Sequence, residues 1–344
     1  MTLSDQILSY LVQAATSNFV EQDIDLLDHW EGQDNLLWRV QCNGQEAVLK
    51  LFLDAGQARS RRQFDGQQMF ANLGIAPRPL WFDRYPEGLA RQVLVYEWSP
   101  GTALDMANSQ QRHALAQTLA QVHSHDVSDV RRVSPNPINL DYLWQLLSNS
   151  ITTISAWLGD QQADAIGHFF HQLASHAQIV VETALPLWLG VPPAPIHGDP
   201  RIENCIDQWG AVVLLDWEMF GMGDPALEIA NFLYVHQQAM DRDMQNQWLA
   251  DYLAHCEQSG SLVQGLEERI VVYERVLPFQ AVCYLLDGLQ TLPAQEMEEA
   301  EFAEVTQFLS ATLAAAFDQA AAHLNVNERV PSTDEISAYI EKIF

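Results

Sequence analysis

The sequence predicts an α+β chain in two parts: a small, sheet-dominated N-terminal domain over residues 1–98 and a larger, mainly helical domain over 99–344. Three observations lead there. A length of 344 residues suits about two domains. Between residues 24 and 98, apolar and β-branched residues run in short strand-like stretches, one pair of them joined by an Asn-Gly turn. Beyond Pro100-Gly101 the apolar spacing changes to the 3.6-residue period of helices.

Taken in order, residues 4–17 read as a short amphipathic helix. WRVQC (38–42) and EAVLKLF (46–52) flank Asn43-Gly44 as a β-hairpin. Residues 60–72 read as a helix with Phe64, Met69 and Phe70 apolar, and GIAPRPLWFD (74–83) breaks it. RQVLVYEW (91–98) is another strand, ended by Pro100-Gly101. HALAQTLAQVHSH (113–125) sets Leu115, Leu119 and Val122 on one helical stripe. Helices follow over 140–157, 163–184, 226–238, 248–257, 270–289 and 302–324, and 325–344 reads as an appended tail helix. Loops and short strands over 196–218 interrupt the series.

Composition excludes several function classes. Forty-five acidic side chains against 17 basic ones give a formal charge of −28, a field that repels a polyanion, so nucleic acid is not an expected partner. The same field attracts cationic small molecules, or simply keeps the chain soluble. Cys42, Cys205, Cys256 and Cys283 form no CxxC pair, so neither a zinc site nor a disulfide framework is indicated. The N-terminus lacks the basic region of a secretory signal, and no apolar run reaches the ~18 residues of a membrane span. A reduced, cytoplasmic location with no membrane partner is expected.

The chemistry concentrates in IHGDPRIENCIDQWGAVVLLDWEMFGMGD, residues 196–224. Asp199 and Asn204 stand five apart, and Asp216 follows 12 residues later at the end of an apolar run. A phosphoryl-transfer site needs one carboxylate to accept a hydroxyl proton, and an Asn and a second carboxylate to hold Mg²⁺ on nucleotide phosphates. Asp199 is therefore the candidate catalytic base, and Asn204 and Asp216 are the candidate Mg²⁺ ligands. An isolated HxD would equally be an Asx-turn before Pro200, and an isolated Asp216 would cap a turn; the combined spacing favours chemistry. Lys50, between apolar neighbours in VLKLF, needs a counter-charge or a phosphate and is the candidate contact to ATP. Arg201 is the candidate to spread charge on the transferring phosphoryl group, with a salt bridge to Glu203 or another surface acid as the competing reading. His197 reads as a loop-shaping side chain.

Nucleotide contacts are thinner. Glu31-Gly32-Gln33-Asp34-Asn35 has one glycine, so Asn35 and the backbone around it form a poor phosphate loop. Main-chain groups of Tyr96, Glu97 and Trp98 are candidates to meet an adenine edge. Trp188, Trp209, Trp217 and Phe220 flank the motif and would suit a quaternary ammonium, although core packing explains most such positions.

HGDPRIEN followed by LLDWEMFGMGDPALEIANFL resembles the aminoglycoside phosphotransferase and choline kinase superfamily, in particular its small-molecule kinase branches. LVYEWSPG (94–101) is similar to its hinge and LAQTLAQVH (115–123) to the helix opening its large lobe. The resemblance implies a two-lobed, protein-kinase-like fold with ATP and Mg²⁺ as cofactors. It also implies transfer of the γ-phosphoryl group to a hydroxyl of a small metabolite or antibiotic, cationic ones included. It gives Asp199 the catalytic role, Asn204 and Asp216 the metal, Lys50 the phosphates, and Glu228 the bracing of the catalytic loop that an Asp usually performs. The chain departs from the family in three places. The glycine-rich loop is thin. Arg201 stands where a His is usual, at the position of a protein-kinase Lys. The helix after Lys50 should supply a Glu, yet its only acid is Asp65, so either Asp65 serves or the pair is altered. A protein Ser/Thr kinase and a non-catalytic nucleotide-binding module are the alternatives these departures raise.

Overall fold

The computed structural model describes residues 2–32, 34–54, 58–128, 133–260, 265–292 and 298–343. Its elements run α1 (Leu3–Gln13), β1 (Asp25–Glu31), β2 (Asn35–Cys42), β3 (Gln45–Phe52), α2 (Arg59–Phe70), β4 (Pro79–Asp83), β5 (Val93–Glu97), β6 (Thr102–Ala103), α3 (Ser109–His123), α4 (Leu140–Asp160) and α5 (Asp164–Ala184). They continue with β7 (Ala194–Ile196), β8 (Cys205–Gln208), β9 (Ala211–Leu214), β10 (Gly221–Gly223), α6 (Pro225–Val235), α7 (Arg242–Gln258), α8 (Leu266–Gln290), α9 (Glu299–Leu324) and α10 (Thr333–Ile343). The class is α+β, with an N-terminal antiparallel sheet and a larger, mostly helical remainder, as the sequence predicts. Two compact units form. One holds Met1–Asn136, Pro193–Glu228 and His236–Val263; the other holds Pro137–Pro192, Ile229–Val235 and Gln264–Phe344.

In the first unit, five antiparallel strands lie in the order β1-β2-β3-β5-β4. Asn43 and Gly44 both take positive φ, 52° and 80°, the conformation a two-residue hairpin turn requires. The β2–β3 register then fixes which side chains share a face. Trp38, Val40, Leu49, Leu51, Val93 and Val95 pack with Ile7, Tyr10 and Leu11 of α1. Thr2 and Asp5 form a capping box that starts α1. Val48, Phe52, Leu94 and Tyr96 form a second cluster on the opposite face, and Lys50 alternates with Val48 and Phe52 there.

α1 ends at Gln13, short of the predicted 17, and α2 gives way to a 3₁₀ turn at Ala71–Leu73. Strand β4 lies inside the segment that reads as a breaker. Its Pro79 is the first strand residue on a sheet edge, where a missing N–H costs no ladder bond. Two smaller sheets, β10-β7 and β6-β8-β9, frame the segment 196–224. The second unit packs α4, α5, α8, α9 and α10, with Phe169 edge-on to Phe317 and Phe170 against Phe279. The tail helix is α10, which begins at Thr333. Among the described residues no helix is long and apolar enough to cross a membrane.

Candidate active site

Strand β7 delivers the chain into 197–204. His197 is fully buried, edge-on to Trp217 with ring centroids 4.5 Å apart. Its Nε2 bonds the Leu215 carbonyl at 2.8 Å, and its Nδ1 accepts the Asp199 N–H at 3.3 Å. One ring nitrogen must donate and the other accept, so the imidazole is neutral. Burial lowers its pKa, against the charge of Glu228 and the Leu215 hydrogen bond. Gly198 has φ 91°, and a Cβ there would run into the Met219 backbone.

The turn presents Asp199 to Arg201 and Asn204. Arg201 Nε and Nη2 donate to the two Asp199 carboxylate oxygens, each at 2.8 Å. Asp199 raises the Arg201 pKa further above its usual value. Of the two partners the sequence leaves open for Arg201, the structure therefore shows an acid other than Glu203. Asn204 Nδ2 donates to Asp199 Oδ2 at 3.1 Å and to the Asp199 carbonyl at 3.0 Å, so its Oδ1 is the atom left to accept or ligate.

Asp216 follows Leu215, whose N–H bonds the Asn204 carbonyl at 2.7 Å. It adopts the left-handed conformation, φ 58° and ψ 56°, which is uncommon for a residue other than glycine and starts the 3₁₀ turn Trp217–Met219. Its Oδ1 lies 2.5 Å from Lys50 Nζ, and Glu218 Oε2 lies 3.2 Å from the same ammonium. Lys50 is only 3% exposed, so both carboxylates serve a desolvated cation. The turn is held by Trp217, fully buried, which donates to the Leu214 carbonyl at 2.7 Å and stacks on Phe70 of α2.

A second buried network fixes the loop from behind. Glu228 Oε1 accepts the Gly198 N–H at 2.5 Å, and Oε2 accepts the His197 N–H at 3.4 Å. Glu228 Oε2 also meets His123 Nε2 at 2.6 Å, and His123 Nδ1 meets the Tyr252 hydroxyl at 2.7 Å. Burial acts to raise the Glu228 pKa, but the His123 hydrogen bond and charge outweigh it and the net direction is down. Burial also raises the Tyr252 pKa far above its usual value, so its hydroxyl stays protonated and closes the network beyond His123.

Other sequence candidates fall in varied places. Asn35 is buried and donates Nδ2 to Glu218 Oε2 at 3.2 Å, while its Oδ1 is buried without a partner. Gln33 lies outside the described residues. The N–H groups of Glu97 and Trp98 are spent on the Arg78 and Glu46 carbonyls, so a base edge there would meet carbonyls or groups beyond Trp98. The Glu97 carboxylate pairs with Arg78. Trp98 lies under the Arg39 guanidinium and nearly parallel to Trp30. Asp65 pairs bidentately with Arg61, and Lys50 takes Glu218 instead. Trp217 and Phe220 are core, Trp209 is 84% exposed, and Trp188 packs on Tyr273 in the second unit.

Sequence reasoning gave no role to Glu218, Arg59, His123 or Tyr252. Glu218 carried a signal, a carboxylate two residues past a candidate metal ligand. The other three become legible only once the fold joins distant segments.

The donor set fits Mg²⁺. Asn204 and Asp216 offer the hard oxygens that Mg²⁺ takes beside phosphates and waters, and they are the residues that would hold it. Among the described residues no group of three or more His, Cys, Asp or Glu could hold a metal ion.

A family model described as "Phosphotransferase enzyme family" matches residues 25–262. Among solved structures, a choline/ethanolamine kinase family protein from Mesorhizobium loti is 16% identical with TM-score 0.61, covering 98% of this chain and 99% of that one. A choline kinase from Cryptosporidium parvum is 13% identical with TM-score 0.56, covering 94% and 96%. An amicoumacin kinase in complex with AMP-PNP and Ca²⁺ is 13% identical with TM-score 0.59, covering 96% of each chain. No curated protein sequence matches. These structures share the fold, and the family model spans well over half of the residues. The chain belongs to the APH phosphotransferase enzyme family.

Proposed function

We propose that this phosphotransferase moves the γ-phosphoryl group of ATP to a hydroxyl of a small molecule. The observation that carries the reading is the grouping of Asp199, Asn204, Asp216 and Lys50 in one compact unit by direct hydrogen bonds and a shared turn. Asp199 takes the acceptor hydroxyl proton as the new O–P bond forms and the bond to the β,γ-bridging oxygen breaks, releasing ADP. Lys50 meets the nucleotide phosphates. Arg201, two residues from Asp199, offsets charge on the transferring group. Asn204 and Asp216 are the residues that would hold Mg²⁺, which when bound neutralises phosphate charge. Asn35 and the stretch at Glu97 and Trp98 belong to the nucleotide side, within a nucleotide-binding lobe over 1–98; residues 99–344 form the lobe bearing the catalytic loop.

Kinship with choline and antibiotic kinases supports a small acceptor, and the charge of −28 favours a cationic one. The test is calorimetry with ATP-Mg²⁺, followed by ADP release across a panel of hydroxyl compounds weighted toward amines. Saturable nucleotide binding and acceptor-dependent ADP release are expected. Label from γ-labelled ATP passing only to protein substrates, or no binding at all, would contradict the reading.

A further inference from the structure

We infer that Glu218 is the carboxylate that holds Lys50 in place, a job that protein kinases give to a Glu on the helix after the lysine strand. The inference rests on the reading of Lys50 as the phosphate contact.

A lysine 3% exposed requires a counter-charge in every state of the site. Asp216 supplies the nearer one at 2.5 Å, but Asp216 is also the candidate metal ligand. A carboxylate that takes a divalent cation gives up much of its attraction for the ammonium. Glu218 remains, at 3.2 Å and 13% exposed. It is itself fixed from two sides, since Asn35 Nδ2 donates to Oε2 at 3.2 Å and Arg59 Nη1 lies 3.4 Å from Oε1. Arg59 in turn pairs with Asp34 at 2.5 Å, so the segment before β2, the start of α2 and the metal turn meet through one carboxylate.

Helix α2 cannot do this job. Its sequence, RSRRQFDGQQMF, contains one acid, and Asp65 is engaged by Arg61 one turn earlier at 2.9 Å. The buried polar residues of α2 are Ser60, Gln63 and Gln67, none of them an acid, and Gln63 and Gln67 keep polar atoms without partners. The anchor for Lys50 is thus tied to the Trp217–Met219 turn that follows Asp216, so the lysine and the metal ligand are placed by one rigid element.

Two measurements decide the matter. In the ligand-free protein, denaturant unfolding of Lys50→Met, Glu218→Gln and the double variant should show strong coupling, with the double variant losing less than the sum of the singles. The Lys50→Met and Asp65→Asn pair should be additive. In turnover assays, Glu218→Gln should raise the KM for ATP at least about tenfold with a smaller change in kcat. Glu218→Asp should recover part of the loss, and Asp65→Asn should match the wild type. Additivity of Lys50 with Glu218, coupling of Lys50 to Asp65, or full recovery of Glu218→Gln by excess Mg²⁺ would overturn the inference; the last result would make Glu218 a metal ligand. Failure of the wild type to bind ATP would end the kinase reading, while the unfolding cycle would still decide for or against the pair.

Discussion

Arg201 grips both oxygens of Asp199 and Asn204 adds a bond to Oδ2, so an acceptor hydroxyl meets the spare lone pair of Oδ1 or one that the guanidinium releases. A bidentate, charge-assisted pair is strong but half exposed here, with 54% of the Arg201 side chain accessible, so releasing one bond is affordable in the presence of a phosphate that offers the same donors new oxygens. Arg201→Ala should therefore lower kcat by about tenfold to a hundredfold, with Arg201→Lys intermediate because a point charge cannot reproduce the fork. Unchanged kcat in the Ala variant would reduce the pair to a surface salt bridge. His197 gives a second prediction. Burial depresses its folded pKa below the 6.5 of the free side chain, so the folded state binds fewer protons. Its contribution is fully present above about pH 6.5 and is lost as pH falls through the depressed value. The melting temperature should fall as pH drops below about 6.5, and His197→Asn should flatten that slope without removing it, because His236 is depressed by burial in the same direction. An identical slope in the variant would refute the assignment.

At the scale of elements, the contact between α2 and the 217–219 turn decides where Asp216 and Glu218 sit. A Cβ on Gly66 would stand 2.7 Å from Trp217 and 3.0 Å from Phe220. Replacing a mid-helix glycine by alanine ordinarily gains up to about 1 kcal/mol. Overpacking two fully buried rings costs about 1–3 kcal/mol, so the steric term wins. Gly66→Ala should lower the melting temperature and, by pushing the turn away, reduce activity in the surviving folded fraction; a stabilised, fully active variant would contradict this. Elements also mark what the sequence could disclose. The β2–β3 hairpin and the long helices are legible because turn chemistry and apolar period are local signals. Strand β4 is not, because prolines that read as breakers are harmless at the start of an edge strand. The candidate catalytic loop is legible because Asp199, Asn204 and Asp216 are near in sequence. The groups that support it are not: Lys50 and Glu218 are 168 residues apart, and His123 and Tyr252 are 129 apart. Only the fold reports those pairings.

For the whole molecule, the family match and the charge set the terms. A chain of −28 presents nucleotide phosphates with a repulsive field, and at the site itself Lys50, Arg59 and Arg201 face the carboxylates of Asp34, Asp199, Asp216 and Glu218. That excess of carboxylates is what a divalent cation would offset, and it is the reason a metal-bound nucleotide, rather than a free one, suits the site. The account therefore stands on Asp199 acting on an acceptor while the rest of the unit holds the nucleotide. The direct measurement is turnover and ATP-Mg²⁺ affinity of Asp199→Asn beside the wild type. The expected result is a fall in kcat by orders of magnitude with nucleotide affinity nearly unchanged; wild-type turnover in that variant would contradict the account.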